Sequence, residues 1–237
     1  VKVSSASKSE EKIIDVPSAI FVISQEDIRR AGISTIPEAL RMAPGLHVAQ
    51  INSNEWAVSS RGLNGRYSRY LLVLIDGRSV YSSMFSGVNW DEHNLIMGDI
   101  DRIEVIRGPG SALYGADAFS GVINIITKNR EEIINTQFGS RIGSFNLKAA
   151  WLQTGKSFGN TDIALSLEVE KTNGWNEKID QDAQTFIDNA PNNPSPAVSL
   201  APGSVNSMKD MIESRLEISS GNNRLRLGYQ GRFNIGT

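Results

Sequence analysis

The pattern of apolar and polar residues changes character near residue 129. Before that point, short apolar runs alternate with segments that carry helix-start signals. After it, apolar residues recur at every second position along extended segments. A mixture of helices and strands is typical of a compact α+β domain, whereas long alternating segments are typical of antiparallel sheets. The pattern therefore predicts two regions, an α+β domain over 15–129 and a β region over 130–237.

Two helix starts in the first region share the same chemistry. Ser24 precedes Asp27 by three residues, and Thr35 precedes Glu38 by three residues. A hydroxyl residue followed at this spacing by an acidic residue can form a capping box, in which each side chain accepts a hydrogen bond from the backbone amide of the other. We therefore predict one short helix directly after Ser24 and another directly after Thr35.

Strands of the first region are predicted where short apolar runs are bounded by turn residues. The clearest pair is 70–75 and 78–81, which flank an Asp-Gly pair that favours a tight hairpin turn. Further strands are predicted at 20–23, 46–50, 57–60, 100–106 and 121–127. The glycine-rich stretch at 108–115 lacks the Gly-Lys-Ser/Thr ending of a phosphate loop. We therefore assign its glycines to positive φ angles and close backbone approach within the domain.

Five strands are predicted in the second region, the first near 134–139, with links at 140–144, 155–160, 173–207 and 220–223. Each strand has an apolar face and a polar face. The predicted apolar faces hold Phe145, Leu147, Ala149 and Trp151, then Ile163, Leu165, Leu167 and Val169, then Ile212, Leu216 and Ile218, and finally Leu225, Leu227 and Tyr229. This pattern is typical of transmembrane β-barrel strands, although a soluble antiparallel sheet with one wet face shows the same alternation.

The lengths of the links favour the barrel. If the first strand runs outward, the long link at 173–207 falls on the extracellular side, and the second and fourth links fall on the periplasmic side. Outer-membrane barrels have this arrangement of long extracellular loops and short periplasmic turns. The first extracellular link, at 140–144, would be short for a loop on that side.

Composition removes several classes of function. The chain has 24 Lys and Arg against 26 Asp and Glu, so the basic field needed for nucleic-acid binding is absent. It has no cysteine, which excludes disulfide scaffolds, cysteine nucleophiles and thiolate metal sites. Its two histidines have no companions at metal-ligand spacing, so no metal site is predicted. The longest apolar run, 70–75, is far shorter than the ~20 residues of a membrane-spanning helix.

An enzyme is not predicted either. Asp91, Glu92 and His93 are adjacent, but the sequence shows no set of nucleophile, base and orienting group around them. We expect no catalytic residues and no resident cofactor.

Residues 15–129 resemble the plug domain of TonB-dependent outer-membrane receptors. The motifs that carry the resemblance follow one another in order: Asp-Val-Pro at 15–17, Val-Ile at 22–23, Asp-Ile at 27–28, Gly32, Ile-Pro-Glu-Ala-Leu at 36–40, Pro-Gly at 44–45, Arg-Gly at 61–62, Leu-Val-Leu-Ile-Asp-Gly-Arg at 72–78, Ile-Glu-Val-Ile-Arg-Gly-Pro-Gly-Ser at 103–111, Leu-Tyr-Gly at 113–115, Ala118 and Gly-Val-Ile-Asn-Ile-Ile-Thr at 121–127. The resemblance implies a plug inside a 22-stranded barrel.

The expected fold is therefore an α+β plug domain followed by antiparallel β-strands belonging to an incomplete transmembrane β-barrel. The 108 residues after the plug (237 − 129) provide about five membrane strands. Single-chain bacterial barrels start at about eight strands. We expect a whole plug and the first strands of a larger receptor, with open strand edges.

The resemblance also implies a function and a location. It implies a receptor in the bacterial outer membrane, in contact with membrane lipid, whose N-terminus is periplasmic and whose plug gates uptake of a scarce small ligand. The inner-membrane TonB complex would supply the energy. The most frequent cargo of the family is a ferric siderophore or another metal chelate. Cobalamin, a saccharide, or a fragment that senses ligand without transporting it are the alternatives.

The ligand is expected at the outward loops of the plug. The candidate contacts are Asn54, Trp56, Arg66, Tyr67, Arg69, Tyr81, Phe85, Asn89 and Trp90. Aromatic residues with polar neighbours suit small-molecule recognition, and the two arginines favour an anionic ligand. The alternative is that the aromatic residues pack the core of the plug.

Two further sets of residues follow from the resemblance. Arg61 and Arg107, with the carboxylates of Asp76 and Glu104, are implied to form ion pairs that hold the plug to itself and to the barrel wall, since buried charges must be paired. Ordinary surface ion pairs are the alternative.

Val1, Lys2 and Val3, within a leader at 1–14, resemble the end of the segment that TonB contacts. An exposed strand there would suit β-augmentation by a partner. A disordered leader is the alternative.

Overall fold

Two five-stranded sheets dominate the computed structural model of the chain, a mixed sheet within 20–127 and an antiparallel sheet within 137–233. We call the first region the plug and the second region the wall. The structure describes residues 2–3, 5, 11–12, 19–62, 65–93, 95–129, 133, 135–175, 178–179, 203–204, 208–221 and 223–233.

The plug and the segment before it contain nine strands and three short helices in the described residues. In chain order they are β1 (Lys2–Val3), β2 (Glu11–Lys12), β3 (Ile20–Ser24), α1 (Gln25–Arg30), α2 (Ile36–Leu40), β4 (Leu46–Gln50), β5 (Trp56–Ser60), β6 (Leu71–Ile75), β7 (Arg78–Ser79), β8 (Ile100–Arg107), α3 (Ser111–Tyr114) and β9 (Gly121–Thr127). Single 3-10 turns lie at Trp90–Glu92, Met97–Asp99 and Ala116–Ala118.

In its described residues, the second region has five long strands, and two further strands of two residues each that pair with one another in a separate sheet. They are β10 (Gln137–Gly143), β11 (Leu147–Phe158), β12 (Thr161–Thr172), β13 (Lys178–Ile179), β14 (Gly203–Ser204), β15 (Lys209–Ser220) and β16 (Asn223–Phe233).

Both predicted capping boxes form and begin α1 and α2. The Asp27 amide donates to the Ser24 hydroxyl at 3.2 Å, and the Ser24 amide donates to the Asp27 carboxylate at 3.0 Å. Thr35 and Glu38 repeat the arrangement at 3.3 and 3.2 Å.

In the described part of the chain, no helix has both the length and the apolar character needed to cross a membrane.

The plug sheet has the strand order β3-β8-β9-β6-β7. Only the β6–β9 pair is parallel, and the other neighbours are antiparallel. The predicted hairpin turn joins β6 to β7, where Asp76 and Gly77 have φ angles of 48° and 77°. Positive φ at both central residues matches the right-handed twist of the flanking strands, which explains the Asp-Gly pair.

A large apolar core holds the plug together. Ile23, Ile28 and Leu40 from the first third pack with Ile103 and Ile123 from β8 and β9, and all five are almost fully buried. Burial of each such side chain contributes about 1.5–3 kcal/mol of transfer free energy. The plug therefore has its own core, built entirely from residues of the first region.

The wall is an antiparallel sheet with the order β10-β11-β12-β15-β16. The five predicted strands are present, but two predicted links are wrong. Residues 140–143 belong to β10 and 155–158 to β11, because the pairing of Gly143 with Leu147 and of Phe158 with Thr161 leaves only tight turns between the strands. Among the described strands, β10 and β16 each have one neighbour, so the sheet is open at both edges.

The predicted faces hold for three of the four wall strands for which they were specified. On β12, β15 and β16 the apolar residues face away from the plug, and Leu225 and Leu227 are each 53% exposed. On β11 the predicted face is wrong, because Gln153 reaches the plug and its odd-numbered neighbours share that side. Trp151 therefore faces inward, beside Gly139, where a Cβ atom would come within 2.6 Å of its ring.

The glycines of the stretch at 108–115 have the predicted role, because Gly108 has a φ of 125° and a Cβ atom on Gly110 would come within 2.8 Å of Val122. The stretch contains α3 between two glycines, and Gly115 ends that helix with a φ of 85°. A positive φ at the end of a helix is a conformation that glycine adopts without strain.

Candidate functional site

Asp76 joins the tip of the β6–β7 hairpin to the wall. Its carboxylate accepts hydrogen bonds from the Thr127 amide and hydroxyl, both at 2.8 Å, and from the Arg226 guanidinium on β16. Burial by itself raises the pKa of Asp76, but the hydrogen bonds from Thr127 and the charge of Arg226 outweigh it, so the pKa lies below its ordinary value. The ionised carboxylate is thus the form that holds the hairpin against the wall.

Arg226 is part of a larger set of charged groups on the inner face of the wall. Glu217 accepts from Arg226 Nε at 3.0 Å and from Arg215 at 3.2 Å. Arg215 in turn donates to the Thr127 hydroxyl at 2.8 Å. We call Asp76, Thr127, Arg215, Glu217 and Arg226 the plug–wall network.

Asp99 makes a second connection, at the start of β8. Its carboxylate accepts from the Ser166 hydroxyl on β12 at 2.6 Å and from the Gln153 amide on β11, and Arg215 on β15 lies at 4.0 Å. One plug residue thus touches three wall strands. Burial raises the pKa of Asp99 above its ordinary value, because it outweighs these partners.

The four residues predicted to form ion pairs have separate environments. The pairings expected for Arg61 and Arg107 do not form among the described residues, where both side chains are exposed and neither contacts a carboxylate. Among the described residues, Arg107 donates to the Pro44 carbonyl at 3.5 Å. Glu104, fully buried, pairs instead with Arg102 at 2.8 Å.

Sequence reasoning missed Asp99, Arg215 and Arg226 as plug–wall contacts. The two arginines lie on the polar faces that the alternation of β15 and β16 identifies, which was a usable signal. Asp99 had none, because a single acidic residue before a strand looks like any solvated turn residue. The partner of each group depends on how the plug is seated against the wall, which periodicity within a strand does not encode.

The N-terminal segment is held on the plug. Val3 is 1% exposed, and β1 pairs with β2. The Ser5 amide donates to Glu104 at 2.8 Å, and the Tyr114 hydroxyl donates to the Ser5 carbonyl at 2.7 Å. The expectation of an exposed strand is therefore wrong at Val3.

The predicted TonB contact has two other residues, Val1 and Lys2. Lys2 lies in β1, and Val1 lies outside the described residues. Contact of this segment with TonB stays a prediction.

The outward loops bring several predicted ligand contacts together. The rings of Tyr67 and Phe85 stack with centroids 5.1 Å apart, and the Arg66 guanidinium lies over Tyr67 at 5.5 Å. Arg66 also pairs with Glu55 on the neighbouring loop. Arg69 is exposed nearby in sequence, and Tyr81 and Asn54 are half-buried.

Three predicted ligand contacts are core residues. Trp56, Asn89 and Trp90 are only 5%, 6% and 2% exposed. Trp90 donates through Nε1 to the Ser68 hydroxyl at 2.8 Å, and Trp56 packs in the same apolar core. The packing alternative left open by the sequence is thus what the structure shows for both tryptophans.

A small cavity of about 290 Å³ lies between the plug and the wall near these loops. It is bounded by the start of α2, the β4–β5 hairpin with Asn54, and the wall turn after β10. Trp175 and the ion pair between Glu170 and Lys209, 3.0 Å long, form its wall side. The lining of the cavity is both polar and apolar. It includes the buried Trp56 and Trp90, but neither Tyr67 nor Phe85.

Comparisons with known proteins agree with this architecture. Residues 12–122 match the family model described as the TonB-dependent receptor plug domain. The chain is 32% identical over 176 residues to the vitamin B12 transporter BtuB of Vibrio vulnificus, covering 73% of this chain and 28% of that protein. The corresponding protein of Vibrio cholerae is 31% identical over 174 residues, with 72% and 28% covered. The chain spans about 28% of the length of these relatives.

Solved receptors share the fold at lower identity. The pyoverdine outer membrane receptor FpvA of Pseudomonas aeruginosa superposes with a TM-score of 0.68 and 17% identity, over 98% of this chain and 30% of that one. The siderophore receptor PiuA of Acinetobacter baumannii gives 0.63 and 21%, over 97% and 28%. With the plug sheet, the outward-facing apolar strands and the family match together, the chain belongs to the TonB-dependent receptors of the outer membrane.

Proposed function

We propose that the protein takes up a scarce metal chelate across the outer membrane, with the plug gating the passage and TonB supplying the energy. Family membership carries the proposal. The contacts between plug and wall also suit a gate, because Asp76 and Asp99 hold it through hydrogen bonds and ion pairs. Such contacts can be exchanged for water when the plug moves, which a continuous apolar core would resist.

The outward loops supply the chemistry for an anionic chelate. Arg66 and Arg69 are exposed, and the stacked pair of Tyr67 and Phe85 offers an aromatic surface beside them. A ferric siderophore with anionic oxygens would use both features, through charge-assisted hydrogen bonds and ring contacts. Tyr81 and Asn54, both half-buried, remain candidate contacts in the proposed site.

Cobalamin is the second candidate. The relatives that are 31–32% identical to this chain are named vitamin B12 transporters, whereas the siderophore receptors resemble it at 17–21% identity. Cobalamin is also a metal chelate, so the two candidates share a size class and differ in charge. For neither candidate do we propose a reaction on the ligand.

Uptake by cells tests the proposal. Bacteria that lack their own receptors and carry this receptor are given radiolabelled cobalamin, ferric pyoverdine or ferric enterobactin, each in a strain with TonB and in one without it. We expect accumulation of one of these chelates, and only with TonB. Accumulation that persists without TonB, or no accumulation of any chelate, would contradict the proposal.

A paired substitution then separates the two ligands. Arg66→Ala with Arg69→Ala should reduce uptake of an anionic siderophore about tenfold or more, since each lost charged contact costs about 1.5–3 kcal/mol. Uptake of cobalamin should change little. Arg29→Ala on the exposed side of α1 is the matched control, because it removes an arginine far from the loops in sequence.

A further inference from the structure

A second, larger cavity lies between the plug and the inner face of the wall. Its volume is about 820 Å³. The β6–β7 hairpin and the segment around His93 form its plug side, and β15 and β16 form its wall side. Cavities of about 300–1,000 Å³ are the usual size for small-molecule sites. Its lining shares no residue with that of the 290 Å³ cavity beside the outward loops.

Glu213 is the unusual group in the lining of this cavity. It is 8% exposed, and its Oε2 atom has no hydrogen-bond partner among the described residues. The alternation of β15 places it on the same inward face as Arg215, which reaches the plug. A buried carboxylate oxygen without a donor is costly, so a ligand that donates a hydrogen bond at this position would be stabilised.

The pairing of strands adds to that cost. Glu213 lies directly opposite Glu168 in the register of β12 and β15, and both residues are buried. Like charges at directly opposed positions destabilise a sheet. Glu168 has Arg141 at 3.7 Å as a partner. Lys209 and Arg232 add positive charge near Glu213, but neither donates a hydrogen bond to its Oε2 atom.

Cationic groups of the plug–wall network that line the cavity already have partners. Arg215 is bonded to Thr127 and Glu217, and Arg226 to Asp76 and Glu217. Arg78, a further arginine of the lining, is exposed on β7 and does not donate to Glu213 Oε2. The open position in the cavity is therefore a negatively charged hydrogen-bond acceptor, which a cationic donor would match.

We propose that this cavity binds a small organic cation, which places an ammonium or guanidinium group against Glu213. Within the described residues, no group of three or more histidine or acidic side chains is arranged to hold a metal ion. The cavity is also far larger than a bare ion requires. An organic cation satisfies the open carboxylate oxygen and separates the charges of Glu213 and Glu168.

Calorimetric titration of the receptor in detergent with agmatine tests the site. Agmatine carries a guanidinium and an ammonium group, and the uncharged butylurea serves as the comparison probe. We expect saturable binding of agmatine and none of butylurea. Glu213→Gln should weaken agmatine binding about 30-fold or more, because it removes the charge of a buried pair.

Glu92→Gln is the matched control. Glu92 lines the same cavity, but its carboxylate already accepts from Asn89 at 2.9 Å, so agmatine binding should change less than about twofold.

A second variant tests the site even if Glu213→Gln fails to fold. Gln230 lies directly opposite Glu213 on β16, and Gln230→Lys should place a tethered ammonium there and abolish agmatine binding.

Absence of saturable agmatine binding to the unmodified receptor would overturn the proposal. Equal binding by the unmodified receptor, Glu213→Gln and Gln230→Lys would also overturn it. The site does not depend on which chelate is transported. Uptake of cobalamin and siderophores by the same variants is measured separately, so failure of the proposed function is distinguishable from failure of the cation site.

Discussion

The plug and the wall place their apolar and charged residues on opposite sides. In the plug, Ile103 and Ile123 are buried at the centre of the fold. In the wall, Leu225 and Leu227 point outward and are half exposed, while Glu213 and Glu217 on β15 are buried against the plug. The plug buries its apolar residues as a water-soluble domain does. The wall has the arrangement expected of a sheet with a hydrocarbon exterior and a polar interior.

This contrast has a consequence for how each region is stabilised. The plug is stabilised by apolar packing within itself, and the free energy of this packing is proportional to the apolar area that is buried. The wall contacts the plug through paired charges and hydrogen bonds, whose net value is small individually but whose loss on one side leaves a buried partner unsatisfied. Substitutions should therefore have different sizes and different pH dependence in the two regions.

The largest effect is expected in the core of the plug. Ile103→Ala should lower the free energy of unfolding of the plug by about 2–5 kcal/mol, because it leaves a cavity among fully buried side chains. Leu225→Ala on the outer face of β16 is the control and should cost much less, because that side chain is half exposed. Guanidinium titration of the receptor in detergent measures both. Equal costs would contradict the contrast between the regions.

A charge on the outer face of the wall should cost almost as much. Leu227→Arg should destabilise the receptor in lipid bilayers by about 2–4 kcal/mol if the position lies near the midplane of the membrane. Leu227→Phe, which keeps the surface apolar, should be nearly neutral. Folding equilibria in lipid vesicles measure the difference. If Leu227→Arg were tolerated as well as Leu227→Phe, that face would not contact lipid.

A moderate effect is expected at the hairpin tip. Asp76→Asn should cost about 1.5–3 kcal/mol at neutral pH, because it weakens charge-assisted hydrogen bonds to Arg226. The pKa of Asp76 is lowered in the folded state, so its stabilisation is present above the ordinary value of 3.8 and is lost as the pH falls through the folded value. The difference between Asp76→Asn and the unmodified receptor should therefore disappear in acid, as thermal melting at a series of pH values would show.

The smallest effect, with the opposite pH dependence, is expected at Asp99. Its pKa is raised, so the folded state disfavours the charge, and this cost grows as the pH rises from 3.8 towards the folded value. Asp99→Asn removes the charge and keeps an acceptor for Ser166, so it should change stability by less than about 1 kcal/mol at neutral pH. A loss of unfolding free energy as large as that for Asp76→Asn would contradict the conclusion that the folded state disfavours the charge of Asp99.

Local features of the fold were predictable from the sequence. The capping boxes at Ser24 and Thr35 and the hairpin at Asp76 and Gly77 depend on residues close together in the chain, and each forms where it was predicted. The alternation of β12, β15 and β16 also gave the correct faces, because the outward face of each strand is mainly apolar.

Features that depend on contact between distant segments were not predictable. Trp151 looks like a lipid-facing residue by hydrophobicity, yet Gln153 on the same side of β11 reaches Asp99 and turns that face inward. Trp56 and Trp90 fill the core of the plug although they lie in loop-like sequence. In each case the deciding partner is far away in the chain, so neither periodicity nor residue type identifies it.

A nitroxide scan along β16 is the most direct test of the claim that the wall places apolar residues outward and polar residues towards the plug. The chain has no cysteine of its own, so single cysteines at positions 224–229 can each be spin-labelled and compared. Collision rates with oxygen, which is enriched in the bilayer, should peak at 225, 227 and 229 and fall at 224, 226 and 228. Rates without this alternation, or with peaks at the even positions, would contradict the assignment of the outer face to lipid and the inner face to the plug.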